Sequence, residues 1–275
     1  MESYVLNNGV EIPAIGLGTF PMKRFELIST VVRSTKYGYN FFDTSPAYGN
    51  EKALGYALKV CGKRRKNLCI TTKLSNAQQR QGNVRKALMD SMSLIGVKYI
   101  DLYLMHWPNP ETFLDSWKQM EVLYKEGLCR AIGVCNFNEH HIKELLSIAK
   151  VVPAVNQIEL HPLLSQKPLV EYCISNGILV EAYSPLARMH KDLVENPIMV
   201  SLSEKYNKSV VQLILRWDFQ HGIVVIPKTS NKKRLKTNID IFNFNLSKND
   251  MDLIDGINKD FRVRHDPDNC DFSKL

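Results

Sequence analysis

Short runs of apolar or β-branched residues alternate with longer amphipathic stretches along most of the chain. The short runs have the length and composition of strands, whereas the longer stretches repeat their apolar residues at helical spacing. This alternation is typical of parallel β-α-β units, in which helices cover the sheet. The pattern predicts eight strands: Ile15–Gly18, Asn40–Asp43, Leu68–Lys73, Ile100–His106, Ala131–Cys135, Ala154–Glu159, Leu179–Tyr183 and Val224–Pro227.

The amphipathic stretches between these strands predict helices. Ser209 is a suitable N-cap for one of them, because Leu213, Ile214 and Trp217 follow it at helical spacing. Beyond Lys259 the chain is polar and shows no periodicity, so we expect an irregular segment over one face. The predicted helices include Asn50–Val60, Val84–Ile95, Thr112–Lys125, Glu139–Ala149, Pro168–Asn176 and Ser209–Gln220.

Eight consecutive units of this kind favour a (β/α)8 TIM barrel. A chain of 275 residues fits that fold, because such barrels reach this length undivided. Before the first strand, Tyr4-Val5-Leu6 and Val10-Glu11-Ile12 flank Asn7-Asn8-Gly9, which predicts a β-hairpin that closes the barrel floor. No linker or change of composition divides the sequence. We therefore expect residues 1–275 to form a single domain.

Composition and charge exclude several classes of protein. A hydrophobic content of 44% argues against disorder, and no apolar run reaches membrane-spanning length or follows a basic leader. The net charge is +8, but the densest basic run, Lys63–Lys66, is not interleaved with aromatic residues. The six cysteines lack C-x-x-C spacing, so we expect reduced thiols and no metal site. We expect a cytoplasmic monomer that binds small molecules, without nucleic-acid or membrane partners.

In a (β/α)8 barrel the chemistry lies at the C-terminal ends of the strands, where the βα loops meet. The predicted strands end in polar and titratable side chains. These positions are Asp43, Lys73, His106, Asn136, Gln157, Tyr183 and Lys228, with Tyr48 in the loop after Asp43.

Four of these side chains form a proton-transfer set if the barrel brings them together. Lys73 beside Tyr48 would favour the phenolate and lower the tyrosine pKa from about 10 towards neutrality. Asp43 would keep that lysine charged and in place. A phenol placed this way protonates a carbonyl oxygen as hydride reaches the carbon, a contribution of roughly 10²- to 10⁴-fold. His106 would orient the same oxygen by a hydrogen bond.

Each of the four residues also has an ordinary structural interpretation. Asp43 suits a turn, and Tyr48 suits a half-buried loop. Lys73 at a strand end is commonly a surface residue with its stem packed along the protein, and His106 would serve as a core histidine. Only the joint placement at neighbouring strand ends favours catalysis.

Five motifs, in this order and spacing, resemble those of the aldo-keto reductases. The resemblance extends from the hairpin to the final helix and is nearest to the branch of microbial diketogluconate reductases and prostaglandin F synthases. It implies that Asp43, Tyr48, Lys73 and His106 form the catalytic tetrad, with Tyr48 as the acid. The motifs are Gly16-Leu17-Gly18-Thr19-Phe20, Phe42–Glu51, Asp101–Pro108, Gly133-Val134-Cys135-Asn136-Phe137 and Ile226-Pro227-Lys228-Thr229.

The resemblance also implies a nicotinamide cofactor and a carbonyl substrate. Tyr183 would stack on the nicotinamide, whose carboxamide Asn136 and Gln157 would hold. The basic segment from Lys228 to Asn238 would bind the adenosine 2′-phosphate, so NADPH is expected rather than NADH. The implied cofactor-binding residues are Gly18, Thr19, Asn136, Gln157, Tyr183, Ser184, Leu186, Lys228, Thr229, Ser230, Arg234 and Asn238. The implied substrate-binding residues are Phe20, Tyr48, His106 and Trp107, with Arg262 and Arg264 as further wall candidates.

Two positions depart from the family pattern. Cys135 stands where serine is common beside the asparagine, and Thr237 stands where an acidic residue often precedes Asn238. These changes would weaken contacts to the carboxamide and to adenine. The loop after Trp107 is short, which predicts an open and permissive substrate pocket.

One other fold and two other functions fit the sequence less well. Gly16-x-Gly18-x-x-Pro21 superficially matches a dinucleotide fingerprint, but Pro21 replaces its third glycine, so a Rossmann domain is rejected. A barrel isomerase or lyase acting on phosphorylated sugars would need a glycine-rich loop after the last strands, and residues 227–231 contain no glycine. A regulatory protein that binds the cofactor with little turnover, similar to potassium-channel β-subunits, would not need the intact tetrad. We therefore expect NADPH-dependent reduction of aldehydes or ketones to alcohols.

Overall fold

The computed structural model describes residues 2–274, and its centre is a curled sheet of eight parallel strands. The strands pair in chain order, and Ile15 forms a parallel bridge with Val225 that joins the last strand to the first. The Gly16 N–H donates to the Val225 carbonyl at 2.8 Å across this seam. The predicted α/β barrel is thus present. Its strands are β3 (Leu17–Gly18), β4 (Phe41–Asp43), β5 (Cys69–Leu74), β6 (Ile100–Met105), β7 (Cys129–Cys135), β8 (Val155–Glu159), β9 (Leu179–Tyr183) and β10 (Val224–Val225).

The strands on either side of the seam are shorter than predicted. β3 begins two residues later than Ile15, which retains only its single bridge, and β10 ends at Val225 instead of Pro227. Pro227 has no N–H to donate to a neighbouring strand, so the hydrogen-bond ladder cannot continue through it. Two other strands are one residue shorter than predicted. β4 begins at Phe41 instead of Asn40, and β6 ends at Met105 instead of His106.

Helices follow the strands and cover the outside of the sheet. The predicted N-cap Ser209 is confirmed, because its hydroxyl accepts from the Gln212 N–H at 3.3 Å while the Gln212 side chain accepts from the Ser209 N–H at 3.2 Å. The helices are α1 (Arg24–Lys36), α2 (Glu51–Val60), α3 (Asn76–Arg80), α4 (Val84–Ile95), α5 (Phe113–Lys125), α6 (Glu139–Leu146), α7 (Lys167–Ser175), α8 (Lys191–Val194), α9 (Pro197–Tyr206), α10 (Val210–Gln220), α11 (Lys232–Ile239) and α12 (Lys248–Asp255).

The predicted N-terminal hairpin is present as β1 (Ser3–Val5) paired antiparallel with β2 (Glu11–Pro13). Leu6 and Ile12 are buried and belong to a cluster with strand residues such as Phe41. A second and larger cluster fills the layer between the sheet and the helices. Closure of the floor by this hairpin stays a prediction.

The chain after α12 is irregular, as expected from its composition. It passes over the C-terminal ends of the strands, where the N–H groups of Val263 and Arg264 donate to the buried carboxylate of Glu159 at 2.6 and 3.0 Å. Further along, the Arg80 guanidinium donates to the Phe272 carbonyl at 2.7 Å. Within residues 2–274, none of the helices has both the length and the apolar character needed to cross a bilayer.

Candidate active site

A cavity of about 480 Å³ opens at the C-terminal ends of the strands, as the barrel fold predicts. Both the sheet and the irregular C-terminal tail contribute to its wall. Of the predicted site residues, it is lined by Gly18, Phe20, Asp43, Tyr48, His106, Trp107, Asn136, Gln157, Tyr183, Ser184, Leu186 and Lys228.

Asp43 and Lys73 form a buried ion pair at the ends of β4 and β5. The Lys73 ammonium lies 2.5 Å from Asp43 Oδ2, and their side chains are 0% and 3% exposed. Lys73 also donates to the Thr44 carbonyl at 3.2 Å. Burial opposes the lysine charge, but Asp43 and Tyr48 outweigh it and raise the pKa of Lys73. Lys73 is therefore charged throughout the physiological range.

Tyr48 is placed by a single 3₁₀ turn, Pro46–Tyr48. Ser45 caps this turn through its hydroxyl, which accepts from the Ala47 N–H at 3.3 Å. Gly49 ends it with φ at 65°, a left-handed conformation that favours glycine. The phenol oxygen then lies 3.3 Å from the Lys73 ammonium, so the predicted tyrosine–lysine contact is formed.

Asn50 ties the Tyr48 loop to the loop that follows β3. Its amide group donates to the carbonyls of Thr19 and Met22 at 3.2 and 3.0 Å, and its oxygen accepts from the Thr44 hydroxyl at 2.6 Å. All three hydrogen bonds, two donated and one accepted by Asn50, are buried, where an unpaired group would cost about 1–3 kcal/mol. The loop carrying the phenol is therefore fixed at both of its ends.

The direction of the Tyr48 pKa differs from the sequence-based expectation. Burial raises this pKa above its usual value, and Lys73 opposes the rise without reversing it. The expectation of a pKa near neutrality is wrong for this structure, because burial of the phenol outweighs the opposing charge of Lys73, which Asp43 partly offsets. Tyr48 consequently keeps its proton at neutral pH, which is the form a general acid requires.

His106 follows β6 and faces Tyr48 across the cavity. The two ring centroids are 6.0 Å apart, and Nδ1 lies 3.4 Å from the Ser45 hydroxyl. Burial, with added repulsion from Lys73 and Arg264, holds the pKa of His106 well below its usual range. The imidazole is thus neutral, and it has a nitrogen available to donate a hydrogen bond to an oxygen beside Tyr48.

The residues expected to meet the nicotinamide contact one another at the ends of β7, β8 and β9. The Tyr183 hydroxyl donates to Asn136 Oδ1 at 2.6 Å, and Asn136 Nδ2 donates to the His106 carbonyl at 3.0 Å. Gln157 lies deeper and donates to Asp43 Oδ2 at 3.0 Å. The Gln157 oxygen lies 3.5 Å from Cys135, the residue that departs from the family pattern.

The remaining predicted cofactor residues lie outside the cavity lining. Thr19 is buried and its hydroxyl donates to the Asp43 carbonyl at 2.8 Å, so it supports the loop rather than facing the cavity. Arg234 is exposed on α11. The others are Thr229, Ser230 and Asn238.

Gly18 lets the end of β3 pack closely against the segment after β10, since a Cβ there would lie 2.8 Å from the Ile226 carbonyl oxygen. One feature beyond this segment fits an extended dinucleotide running out from the cavity. The N-terminus of α11 follows, capped by Asn231, with Lys228 before it and Arg234 in its first turn. Helix N–H groups with two cations make a suitable anion site. The residues present therefore fit a phosphorylated dinucleotide.

The wall opposite the cofactor residues is aromatic and basic. Phe20 packs against Tyr48 with ring centroids 5.1 Å apart, and the ring centroids of Trp107 and His265 are 6.4 Å apart. The Arg264 guanidinium lies 5.5 Å from the Phe20 ring centre. Arg264 and His265 both line the cavity, whereas Arg262 bonds Gln166 at 3.1 Å and does not.

Glu181 is a buried acid that was not among the site residues predicted from the sequence. It lies on β9, fully buried, and its Oε1 accepts from Gln157 Nε2 at 2.6 Å. Strand periodicity offered a signal, because Glu181 precedes Tyr183 by two residues and hence shares its face.

A family comparison agrees with this geometry. The model of the aldo/keto reductase family matches residues 14–259. The chain belongs to the aldo/keto reductase family. It is therefore an oxidoreductase that acts on carbonyl groups and depends on NADP(H).

Individual relatives of this reductase cover nearly its whole length. A glyoxal reductase of Bacillus subtilis is 46% identical over 268 residues, with 97% of this chain and 96% of the relative aligned. The solved structure of MGS-M4, an aldo-keto reductase from a Medee basin deep-sea metagenome library, superposes with a TM-score of 0.95 at 39% identity, covering 98% of this chain and all of the other. The solved structure of the Bombyx mori aldo-keto reductase AKR2E5 in complex with NADPH superposes with a TM-score of 0.91 at 34% identity. The match covers 96% of this chain and 90% of the other.

Proposed function

We propose that this reductase converts small aldehydes and ketones to alcohols with NADPH, and that Tyr48 is the general acid. The observation that carries the proposal is the contact of a protonated, half-buried phenol with a buried ion pair. Tyr48 Oη lies 3.3 Å from Lys73 Nζ, which lies 2.5 Å from Asp43. An acid held in this way is placed before the substrate arrives, so little reorganisation is needed during the reaction.

The proton moves from Tyr48 Oη to the carbonyl oxygen of the substrate. NADPH, when bound, supplies the hydride. The ammonium of Lys73 stabilises the phenolate that Tyr48 becomes, because opposite charges at this separation favour the ionised form. Neutral His106 donates a hydrogen bond to the same carbonyl oxygen and fixes its position. The phenolate is reprotonated before the next turnover.

The cofactor is held along one line from the cavity to α11. Tyr183 would lie against the nicotinamide, Asn136 and Gln157 would hold its carboxamide, and Arg234 with Lys228 would bind the 2′-phosphate. Gly18, Ser184 and Leu186 would line the channel between these ends, with Thr19 supporting the loop behind it, and Thr229, Ser230 and Asn238 would complete the adenine end. The α11 N-terminus, with Lys228 before it and Arg234 in its first turn, supports this arrangement.

The substrates we propose are small, and α-dicarbonyls are the first to test. Phe20 and Trp107 give the wall an apolar surface, while the short loop after Trp107 leaves the entrance open. The name of the B. subtilis relative, a glyoxal reductase, supports the same class. We propose further that residues 1–275 form one domain with the hairpin across the barrel floor, acting as a cytoplasmic monomer without nucleic-acid partners.

The experiment combines a substrate panel with one substitution. Loss of NADPH absorbance is followed with glyoxal, methylglyoxal and simple aldehydes, for the wild type and for Tyr48→Phe. We expect turnover by the wild type and a fall in kcat of about 10²- to 10⁴-fold in Y48F, with the NADPH Kd nearly unchanged, because only the acid is removed. A Y48F variant with normal kcat would remove Tyr48 from this role. Tight NADPH binding without turnover would overturn the reductase itself.

A further inference from the structure

A second carboxyl group lies inside the barrel, close to the tetrad. Glu181 is 0% exposed in the middle of β9, where its register partners are Gln157 on β8 and Val224 on β10. Placing an isolated charge in such a site is very costly unless the charge is paired. A buried acid at this position therefore requires an explanation beyond packing.

Glu181 is linked to the catalytic ion pair through one amide group. Gln157 Nε2 donates one hydrogen to Glu181 Oε1 at 2.6 Å and the other to Asp43 Oδ2 at 3.0 Å. The same Asp43 oxygen accepts from Lys73 at 2.5 Å. Both N–H groups of the amide are therefore used, and the orientation of Asp43 depends on what holds Gln157.

The surroundings of Glu181 favour its neutral form. Its second oxygen, Oε2, has no hydrogen-bond partner among residues 2–274, so an ionised carboxylate would leave a bare negative oxygen in the barrel. Burial and the negative Asp43 raise the pKa of Glu181 to about 8, whereas Gln157 and Lys73 act in the opposite direction. The titratable groups facing it are Asp43 from β4, Cys69 and Lys73 from β5, and Cys135 from β7.

We propose that protonated Glu181 is a positioning residue for the general acid, acting through Gln157 and Asp43. Asp43 in turn directs Lys73 towards Tyr48. This role rests on the proposed function of the site. Ionisation of Glu181 adds a second negative charge beside Asp43, which makes the Tyr48 phenol a weaker acid and competes for the Lys73 ammonium. Reduction should therefore slow as Glu181 loses its proton.

The test compares the pH dependence of kcat in the wild type, Glu181→Gln and Glu181→Leu at saturating NADPH and substrate. Gln at 181 keeps an acceptor for Gln157 and cannot ionise. We expect the wild-type kcat to fall at least threefold through an apparent pKa near 8, and E181Q to match the wild type at about pH 6.5 without that fall. E181L removes the acceptor for Gln157 and should lower kcat about tenfold, with the KM of the carbonyl substrate nearly unchanged.

A control separates this role from general effects of a buried acid. Asp218 on α10 is also fully buried, has no partner on either carboxylate oxygen among the described residues, and does not line the cavity. Asp218→Asn should keep the wild-type pH profile. Infrared spectra provide a readout besides activity. Burial also raises the pKa of Asp218, so its carboxyl band should persist above about pH 8 in the wild type and E181Q. The protonated carboxyl absorption that disappears as pH rises through about 8 should be present in the wild type and D218N and missing from E181Q.

The outcomes are distinct. An alkaline fall in E181Q equal to that of the wild type, a wild-type profile without the fall, or a normal kcat in folded E181L would overturn the positioning role. If E181L does not fold, the pH profile of kcat in E181Q and the infrared titration still test the positioning role. No turnover by the wild type at any pH would overturn the proposed function and this role with it.

Discussion

Removing the charge of Lys73 should destabilise the protein as well as inactivate it. Lys73→Met keeps most of the side-chain volume but leaves the Asp43 carboxylate without its cation. Breaking a buried ion pair by deleting one partner costs about 3–5 kcal/mol. Asp43 keeps the hydrogen bond from Gln157, so we expect the lower end, a loss of about 3 kcal/mol in the free energy of unfolding. Salt should change this value little, because neither side chain is exposed to solvent.

The assay is equilibrium urea denaturation of four proteins: the wild type, K73M, Asp43→Asn and the double variant. Neutralising both partners removes the unpaired charge, so the double variant should be more stable than K73M. The difference between the double variant and the sum of the single ones gives the coupling energy directly. A K73M variant that loses less than about 1 kcal/mol would refute the reasoning, as would a double variant no more stable than K73M.

Two further predictions concern the cofactor and the stability at acid pH. Arg234→Ala should weaken NADPH binding at least tenfold and NADH binding hardly at all, because a charge-assisted hydrogen bond of about 1.5–3 kcal/mol is lost only with the 2′-phosphate. Equal losses in binding titrations of both cofactors would show that Arg234 does not bind the 2′-phosphate. His141 is buried on α6, and burial lowers its pKa to about 4. The folded state then binds fewer protons than the unfolded state between the ordinary pKa and 4, so stability falls as pH decreases through that window. His141→Gln, which retains an acceptor for the Asn138 N–H, should flatten this fall in urea titrations, and an unchanged slope would exclude His141 as its cause.

The fold was accessible from the sequence because each strand is short, apolar and bounded by an amphipathic stretch. The same pattern placed Asp43, Lys73 and His106 at strand ends, and the structure brings them together. The seam was less predictable, because whether Ile15 extends β3 depends on its pairing with the last strand of the chain, which local composition does not encode.

The electrostatics of the site required coordinates. Proximity of Lys73 predicts a lowered Tyr48 pKa. The direction of the shift depends instead on how deeply the phenol is buried and on how near the negative Asp43 lies, and both require coordinates. Glu181 was missed because a strand with one acid in five residues resembles a strand with one solvent-facing position. The face that it shares with Tyr183 was the one signal in the sequence, and its complete burial in the structure shows that it faces the barrel interior.

The C-terminal tail has a consequence for how new specificities arise. Two of its backbone amides are fixed to Glu159 at the end of β8, and Arg80 holds the Phe272 carbonyl. Backbone anchors tolerate most side-chain exchanges in the tail itself. Mutation and selection can therefore vary Arg264 and His265 while the strand ends that carry the proton chemistry stay fixed, so a single scaffold can acquire new substrates without rebuilding its catalytic groups.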